Sequence, residues 1–257
     1  MLDKLNVNML QYKMRATACL ITYNEEETLP YCLVFLNSLK NIDEICIVDS
    51  YSTDNTLQII EAFILISNKR VIFRTRKFDN FCNQRNYCIS LASNSVILGI
   101  DADETYSQSI DEVLAHVIMD KNITAVRLPT ITLINNRRTY IVNSNLDPHI
   151  RIWRKSRCRY VREAHEYLES TDGRNLHECR DSDVIDYNVF LKHAQLLKTL
   201  KSLYEKGKRW QELNLIELSG KFGIPIYPNY WVDNKQKEYK SMKLPLHLYD
   251  ITSLLEM

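Results

Sequence analysis

The chain has 257 residues, 45% hydrophobic and 25% charged, which excludes wholesale disorder. Lys+Arg 33 against Asp+Glu 32 leaves a net charge of +1, so the basic excess of a dedicated nucleic-acid binder is missing. With only 5 glycines and neither a GxGxxG nor a GxxxxGK[ST] pattern, a dinucleotide fingerprint and a P-loop are excluded as well.

In chain order, Ala16–Tyr23 (ATACLITY) predicts a buried strand. Glu27–Leu39 predicts a helix, with Leu29, Leu33, Leu36 and Leu39 at helical spacing. Glu44–Asp49 is a second strand. Asp54–Ile66 is a second helix, with Ser52, Thr53 or Asp54 available as its cap. Val71–Arg74 is a short third strand, and Asn80–Ala92 a helix. Val96–Ile100 is a fourth strand that ends at Asp101-Ala102-Asp103-Glu104, before a helix over Ser107–Met119. Strands and helices alternating at this interval predict an α/β fold built on a mainly parallel sheet.

Beyond residue 122 the pattern changes. Thr124–Ile134, Thr139–Val142, Ile150–Trp153 and Arg159–Val161 read as strands of a mixed, partly antiparallel extension. Phe190 to Leu218 reads as helix, with Leu191, Leu196, Leu197, Leu200 and Leu203 on one face. Pro225–Trp231 reads as a surface tail, and Leu244–Leu255 as a last helix. The expected organisation is an N-terminal extension (1–15), a βα half ending in the Asp101-Ala102-Asp103 turn (16–122), a mixed α/β half (123–188) and a helical C-terminal extension (189–257). There is no apolar run of 18 residues and no uninterrupted signal-like segment at the start. The seven cysteines form no CxxC pair, so buried or free thiols in a reducing compartment are expected. Cytoplasmic residence follows, with peripheral membrane contact left open.

Ligands of open α/β sheets bind at the carboxyl ends of the strands. Those ends are polar here. Thr22, Asn24, Glu25 and Glu26 follow the first strand; Asp49, Ser50, Ser52, Thr53 and Asp54 the second; Asp101, Asp103 and Glu104 the fourth. One acidic strand end can be helix capping, but three converge on a site. Asp101 and Asp103, two residues apart, suit a hard cation such as Mg²⁺ or Mn²⁺ that bridges carboxylates to phosphates. An acidic turn that caps the next helix is the plainer reading of Asp-x-Asp alone.

Taken in order, Ile21-Thr-Tyr-Asn-Glu-Glu, Ile47-Val-Asp-Ser-Tyr-Ser-Thr-Asp-Asn-Thr, Asn83-Gln-Arg-Asn-Tyr and Leu98-Gly-Ile-Asp-Ala-Asp-Glu resemble the signature of family 2 glycosyltransferases with the GT-A fold. With Phe78-Asp-Asn-Phe ahead of Gln-Arg-Asn, the chain is most similar to the lipopolysaccharide-core β-glucosyltransferase branch. The resemblance implies a metal-dependent, inverting transfer of a hexose from a nucleotide-diphospho-sugar, a UDP-sugar first, to a hydroxyl of a saccharide or lipid-linked glycan. It implies that Thr22, Asn24 and Glu25 border the nucleotide and that Asp49 bonds the base. Arg85 would lie near the diphosphate, and Asp101 near the ribose and the Mn²⁺ or Mg²⁺. Asp103 would be the direct metal ligand. A helix-capping role for Asp49 and an exposed helix charge for Arg85 are the plainer readings.

On the acceptor side, the resemblance gives Glu166 as the base that takes the acceptor proton, with His165 as an acceptor or phosphate contact and Glu163 a competing base. His193 would complete the metal or diphosphate site; His177 and His149 are rivals. The basic stretch Arg151–Arg162 would neutralise a diphosphate or an anionic acceptor, though its alternation favours one solvated strand face. Tyr227, Tyr230 and Trp231 suit sugar stacking or simple packing. Thr105 to Arg162 holds no glycine, so Asn135-Asn136 or Asn143-Ser-Asn145 would serve its turns. Three other readings stay open: a protein acceptor, a nucleotidyltransferase, and a non-enzymatic protein on the same scaffold.

Overall fold

The computed structural model describes residues 15–107, 109–132, 149–163, 165–187 and 191–193. The first half alternates β1 (Ala16–Thr22), α1 (Leu29–Ser38), β2 (Ile42–Asp49), α2 (Thr56–Ile66), β3 (Arg70–Thr75), α3 (Phe81–Leu91) and β4 (Val96–Gly99). Then follow β5 (Glu104–Tyr106), α4 (Ile110–Met119), β6 (Ala125–Leu128), β7 (Thr130–Thr132), β8 (His149–Arg154), β9 (Cys158–Val161), β10 (Tyr167–Ser170), β11 (Val184–Asp186) and β12 (Leu191–His193).

Seven strands form one sheet in the order β11-β6-β8-β4-β1-β2-β3. β4, β1, β2 and β3 run parallel, β8 is antiparallel to both β4 and β6, and β11 runs parallel to β6. This is the expected mixed, mainly parallel sheet of a GT-A fold. It runs on across residue 122, because β6, β8 and β11 extend it beyond β4.

Both faces of the sheet are covered, which is why β1 and β2 are near-continuous apolar runs. Ala18, Leu20, Ile45, Ile47 and Leu98 pack against α1, α2 and α4 on one face. Cys19, Cys46, Val48, Ile97 and Trp153 pack against α3 and the β9–β10 hairpin on the other. All seven cysteines are free thiols, and burial pushes the Cys19 thiol well up. Local signals place the helices. Pro30 opens α1. Asn80 caps α3 by accepting from the Asn83 amide at 2.8 Å. α4 buries Ile110, Val113, Leu114, Val117 and Ile118 at a 3–4 spacing.

Two expectations are corrected. The helix expected from Phe190 is not helical at Leu191–His193, where β12 pairs antiparallel with β5 and parallel with β7. Those pairings satisfy backbone groups that leucine periodicity cannot register. The single strand expected over Thr124–Ile134 breaks at Pro129, which has no N–H to donate. β6 stays in the large sheet and β7 joins β5 and β12. The short strands β5, β10 and β11 carried no sequence signal of their own. Residues 139–142, 194–218, 225–231 and 244–255, on which other expectations fell, lie outside the described residues.

Candidate active site

The loops after β1 and β2 are stitched together at the carboxyl rim. The Asn24 amide donates to Ser52 Oγ at 2.9 Å, and the Thr53 amide donates to Asn24 Oδ1 at 2.8 Å. The Glu25 amide donates to Thr56 Oγ1 at 2.8 Å, and Thr28 Oγ1 donates to Glu25 Oε2 at 2.9 Å. Asp49 is fully buried at the end of β2. Its Oδ2 accepts from Thr22 Oγ1 at 2.8 Å and from Ser52 Oγ at 2.5 Å, and its Oδ1 accepts from the Ser52 amide at 2.8 Å. Thr22, Asn24, Glu25 and Asp49 are thus brought together as expected. Asp49 ties the end of β1 to the next loop. Beside it, the Gln84 amide nitrogen donates to Ser50 Oγ at 3.0 Å.

The second cluster is built on the turn after β4. The Asp101 amide donates to Glu104 Oε2 at 2.9 Å, and the Glu104 amide donates back to the Asp101 carbonyl at 3.0 Å. Arg85 reaches in from α3, with Nη1 2.8 Å from Asp101 Oδ1 and Nε 2.7 Å from Glu166 Oε1. Arg151 reaches in from β8, with Nη2 2.5 Å from Glu104 Oε1 and 3.6 Å from Asp101 Oδ2. The Arg85 guanidinium also lies 5.5 Å over the Tyr160 ring, a cation–π contact. Burial opposes the charge on Asp101, but Arg85 and Arg151 outweigh it and hold its carboxyl below the usual range. Burial likewise opposes the charge on Arg85, and Asp101 and Glu166 overcome it. Burial pushes the Tyr160 hydroxyl up to about 12 despite the two arginines beside it.

This donor set fits a divalent cation. Arg85 pairs with Asp101 and Glu166, Arg151 pairs with Glu104 and Asp101, and Asp103 acts electrostatically on Asp101; these two arginines and four carboxylates leave an excess of two negative charges. The donors are hard oxygens, as Mg²⁺ and Mn²⁺ prefer. Asp101 is engaged by two guanidiniums; Asp103, 5% exposed, would hold the cation beside it. Among the described residues no three metal-type side chains already converge. His193 stands opposite Glu104 in the β5–β12 register, beside the same turn. Its rivals His149 and His177 pack edge-on against each other, ring centroids 6.1 Å apart.

Glu166 and His165 lie in the loop between β9 and β10. Glu166 is brought to the site through Arg85, whereas Glu163 is exposed. Burial lowers the His165 pKa, Glu166 raises it and Arg162 lowers it; the net shift is down, toward neutral imidazole. Among the described residues, the non-glycine residues with left-handed backbone are Asn24 (φ 52°), Tyr51 (φ 60°), Arg162 (φ 71°) and His165 (φ 51°). All four sit in the loops that form this site. Such strain persists only where surrounding structure enforces it, and it gathers at functional sites.

The solvated face expected for Arg151–Arg162 is corrected in β8, while Arg159 and Arg162 are exposed. Arg151 and Arg154 are buried, because β8 lies inside the sheet between β4 and β6. Arg154 donates to the carbonyls of Val117, Ile123 and Asp120, at the C-terminal end of α4. Lys155 does the same for the Ala92 carbonyl just after α3. Arg151 turns instead to the site carboxylates. The sequence pointed to it only as one of a basic stretch facing a diphosphate or an anionic acceptor; its pairing with Asp101 and Glu104 was not foreseen. Gln84 and Tyr160 were missed.

Residues 17–171, more than half of the chain, match the profile of the family described as Glycosyl transferase family 2. The lipopolysaccharide core biosynthesis glycosyltransferase LpsC of Rhizobium meliloti is 26% identical over 232 residues, covering 84% of this chain and 79% of its own. The glycosyltransferase SunS of Bacillus subtilis is 37% identical over 103 residues, which are 39% of this chain and 23% of SunS. Among solved structures, residues 1–349 of S. aureus TarS in complex with UDP-GlcNAc share the fold at a TM-score of 0.52 and 16% identity, covering 90% of this chain and 77% of that one. The motifs at the strand ends, the sheet order and the family match agree: this chain belongs to glycosyl transferase family 2, and it is a glycosyltransferase of the GT-A fold.

Proposed function

We propose that the protein transfers a hexose from a UDP-sugar, with inversion and with Mn²⁺ or Mg²⁺, to a hydroxyl of a saccharide acceptor. The observation that carries this reading is Arg85, whose one guanidinium joins the Asp101–Asp103 turn to Glu166. Leaving group and base would therefore meet at a single side chain. Thr22, Asn24, Glu25 and the loop held by Asp49 border the nucleotide. Arg85 neutralises the diphosphate as the bond from the anomeric carbon breaks. Glu166 takes the proton of the acceptor hydroxyl as its oxygen attacks the opposite face of that carbon. A cation held by Asp103 and Asp101 would supply further charge neutralisation at the departing diphosphate. The name of the LpsC relative supports a saccharide acceptor, and the UDP-GlcNAc complex of TarS supports uridine.

The test is UDP release from UDP-glucose in the presence of Mn²⁺, with a thermal-shift screen of nucleotide-sugars beside it. EDTA should abolish release. Asp103→Asn should remove the Mn²⁺-dependent stabilisation while leaving the metal-free melting point within about 2 °C, as for a substitution that keeps side-chain shape. No stabilisation by any nucleotide-sugar with Mn²⁺ present would overturn the proposal.

A further inference from the structure

We infer that Glu166 guards the diphosphate subsite: in the donor-free enzyme its carboxylate occupies Arg85, and an entering diphosphate displaces it and so frees it toward the acceptor. This rests on the UDP-sugar reading above and adds a coupling between donor occupancy and the base.

Three observations carry it. First, the two carboxylates on Arg85 are held differently. Asp101 belongs to a turn closed by its own hydrogen bonds with Glu104 and is flanked by Arg151. Glu166 hangs from a loop with left-handed backbone at Arg162 and His165. Exchange at Arg85 therefore falls on the Glu166 side. Second, the guanidinium itself is pinned, with Asp101 on one edge and the Tyr160 ring beneath it, so it presents a fixed fork to whichever anion occupies it. Third, Arg85 and Glu166 are both mostly buried, with side chains 14% and 13% exposed, so solvent screens their pairing little. A diphosphate carries more negative charge than one carboxylate and prevails at Arg85. It must first displace the charge already there.

Removal of that charge should therefore tighten nucleotide binding even as it abolishes transfer. Calorimetric titration of UDP with Mn²⁺ into the wild type, Glu166→Gln and Glu166→Ala reads this directly. The expected gain in affinity for both variants is about tenfold, in the range of couplings between contacting charges. Uridine, which has no phosphate, should bind all three proteins equally. In an Arg85→Gln background the gain should vanish; the neutral Arg85→Met serves in its place if the glutamine variant does not fold. Unchanged or weaker UDP binding by both Glu166 variants overturns the inference while the UDP-sugar reading stands. A gain that persists without Arg85 also overturns it, since Glu166 would then repel the diphosphate directly. A wild type that binds no UDP with Mn²⁺ removes the donor reading and the inference together.

Discussion

Replacing Gly99 with alanine tests how tightly the site is braced from below. A Cβ at Gly99 would stand 2.6 Å from Cη2 and 2.7 Å from Cζ3 of Trp153. That is roughly 1 Å inside ordinary carbon–carbon contact. The indole cannot simply move away. It is 1% exposed and packs edge-on against Tyr160, ring centroids 5.7 Å apart, and Tyr160 in turn supports Arg85. Overpacking of this kind costs about 1–3 kcal/mol. With a urea slope of roughly 2 kcal/mol/M, the midpoint should fall by about 0.5–1.5 M. Trp153→Phe removes the two clashing atoms and, alone, leaves a cavity that costs about 1–3 kcal/mol. The double variant should then be more stable than the sum of the singles by about 1 kcal/mol or more. Urea unfolding of the four proteins, followed by circular dichroism, completes the cycle. A Gly99→Ala protein within about 0.3 kcal/mol of wild type would refute the packing argument, and so would strict additivity.

The donor half was legible because its signals are short-range. Asp49, Asp101 and Asp103 follow directly on apolar runs, and a rule about strand ends turns that adjacency into a site. The acceptor side was not, because its contacts join distant residues. Arg85 meets Glu166 81 positions away, and Arg151 meets Glu104 across 47. The basic stretch misled for a definite reason. Alternation signals a solvated face only for a strand with one wet side, and β8 has none. Its arginines are buried, so each must find carbonyls or carboxylates. Glycine scarcity was half understood. Asparagine was expected to serve the turns between Thr105 and Arg162; outside that stretch Asn24 takes a left-handed conformation. His165 takes one as well, and so do Tyr51 and Arg162, two residues that no propensity rule would nominate. Asn135, Asn136, Asn143 and Asn145 lie outside the described residues.

Two further predictions follow from these geometries. Tyr51 is 57% exposed with φ 60°, so Tyr51→Gly should relieve strain and raise stability by about 0.5–1 kcal/mol, while UDP affinity falls if its ring borders the donor. A loss of stability would show that the ring contributes more than its backbone costs. Glu44 lies near the start of β2, at the opposite rim, and its carboxylate accepts from Thr17 Oγ1, from the amide and hydroxyl of Ser93, and from Arg70. Burial by itself raises its pKa, and these bonds outweigh burial, so the carboxyl lies below its ordinary value. A depressed pKa means that the folded state holds the proton less readily than the unfolded one. The stabilisation is therefore complete above the unfolded value of about 4.3 and is lost as pH falls through the folded one. Glu44→Gln should cost about 1–3 kcal/mol at neutral pH, and the gap from wild type should close on acidification. Urea midpoints measured across that range decide it: a gap independent of pH would mean that Glu44 acts through its shape alone, not its charge.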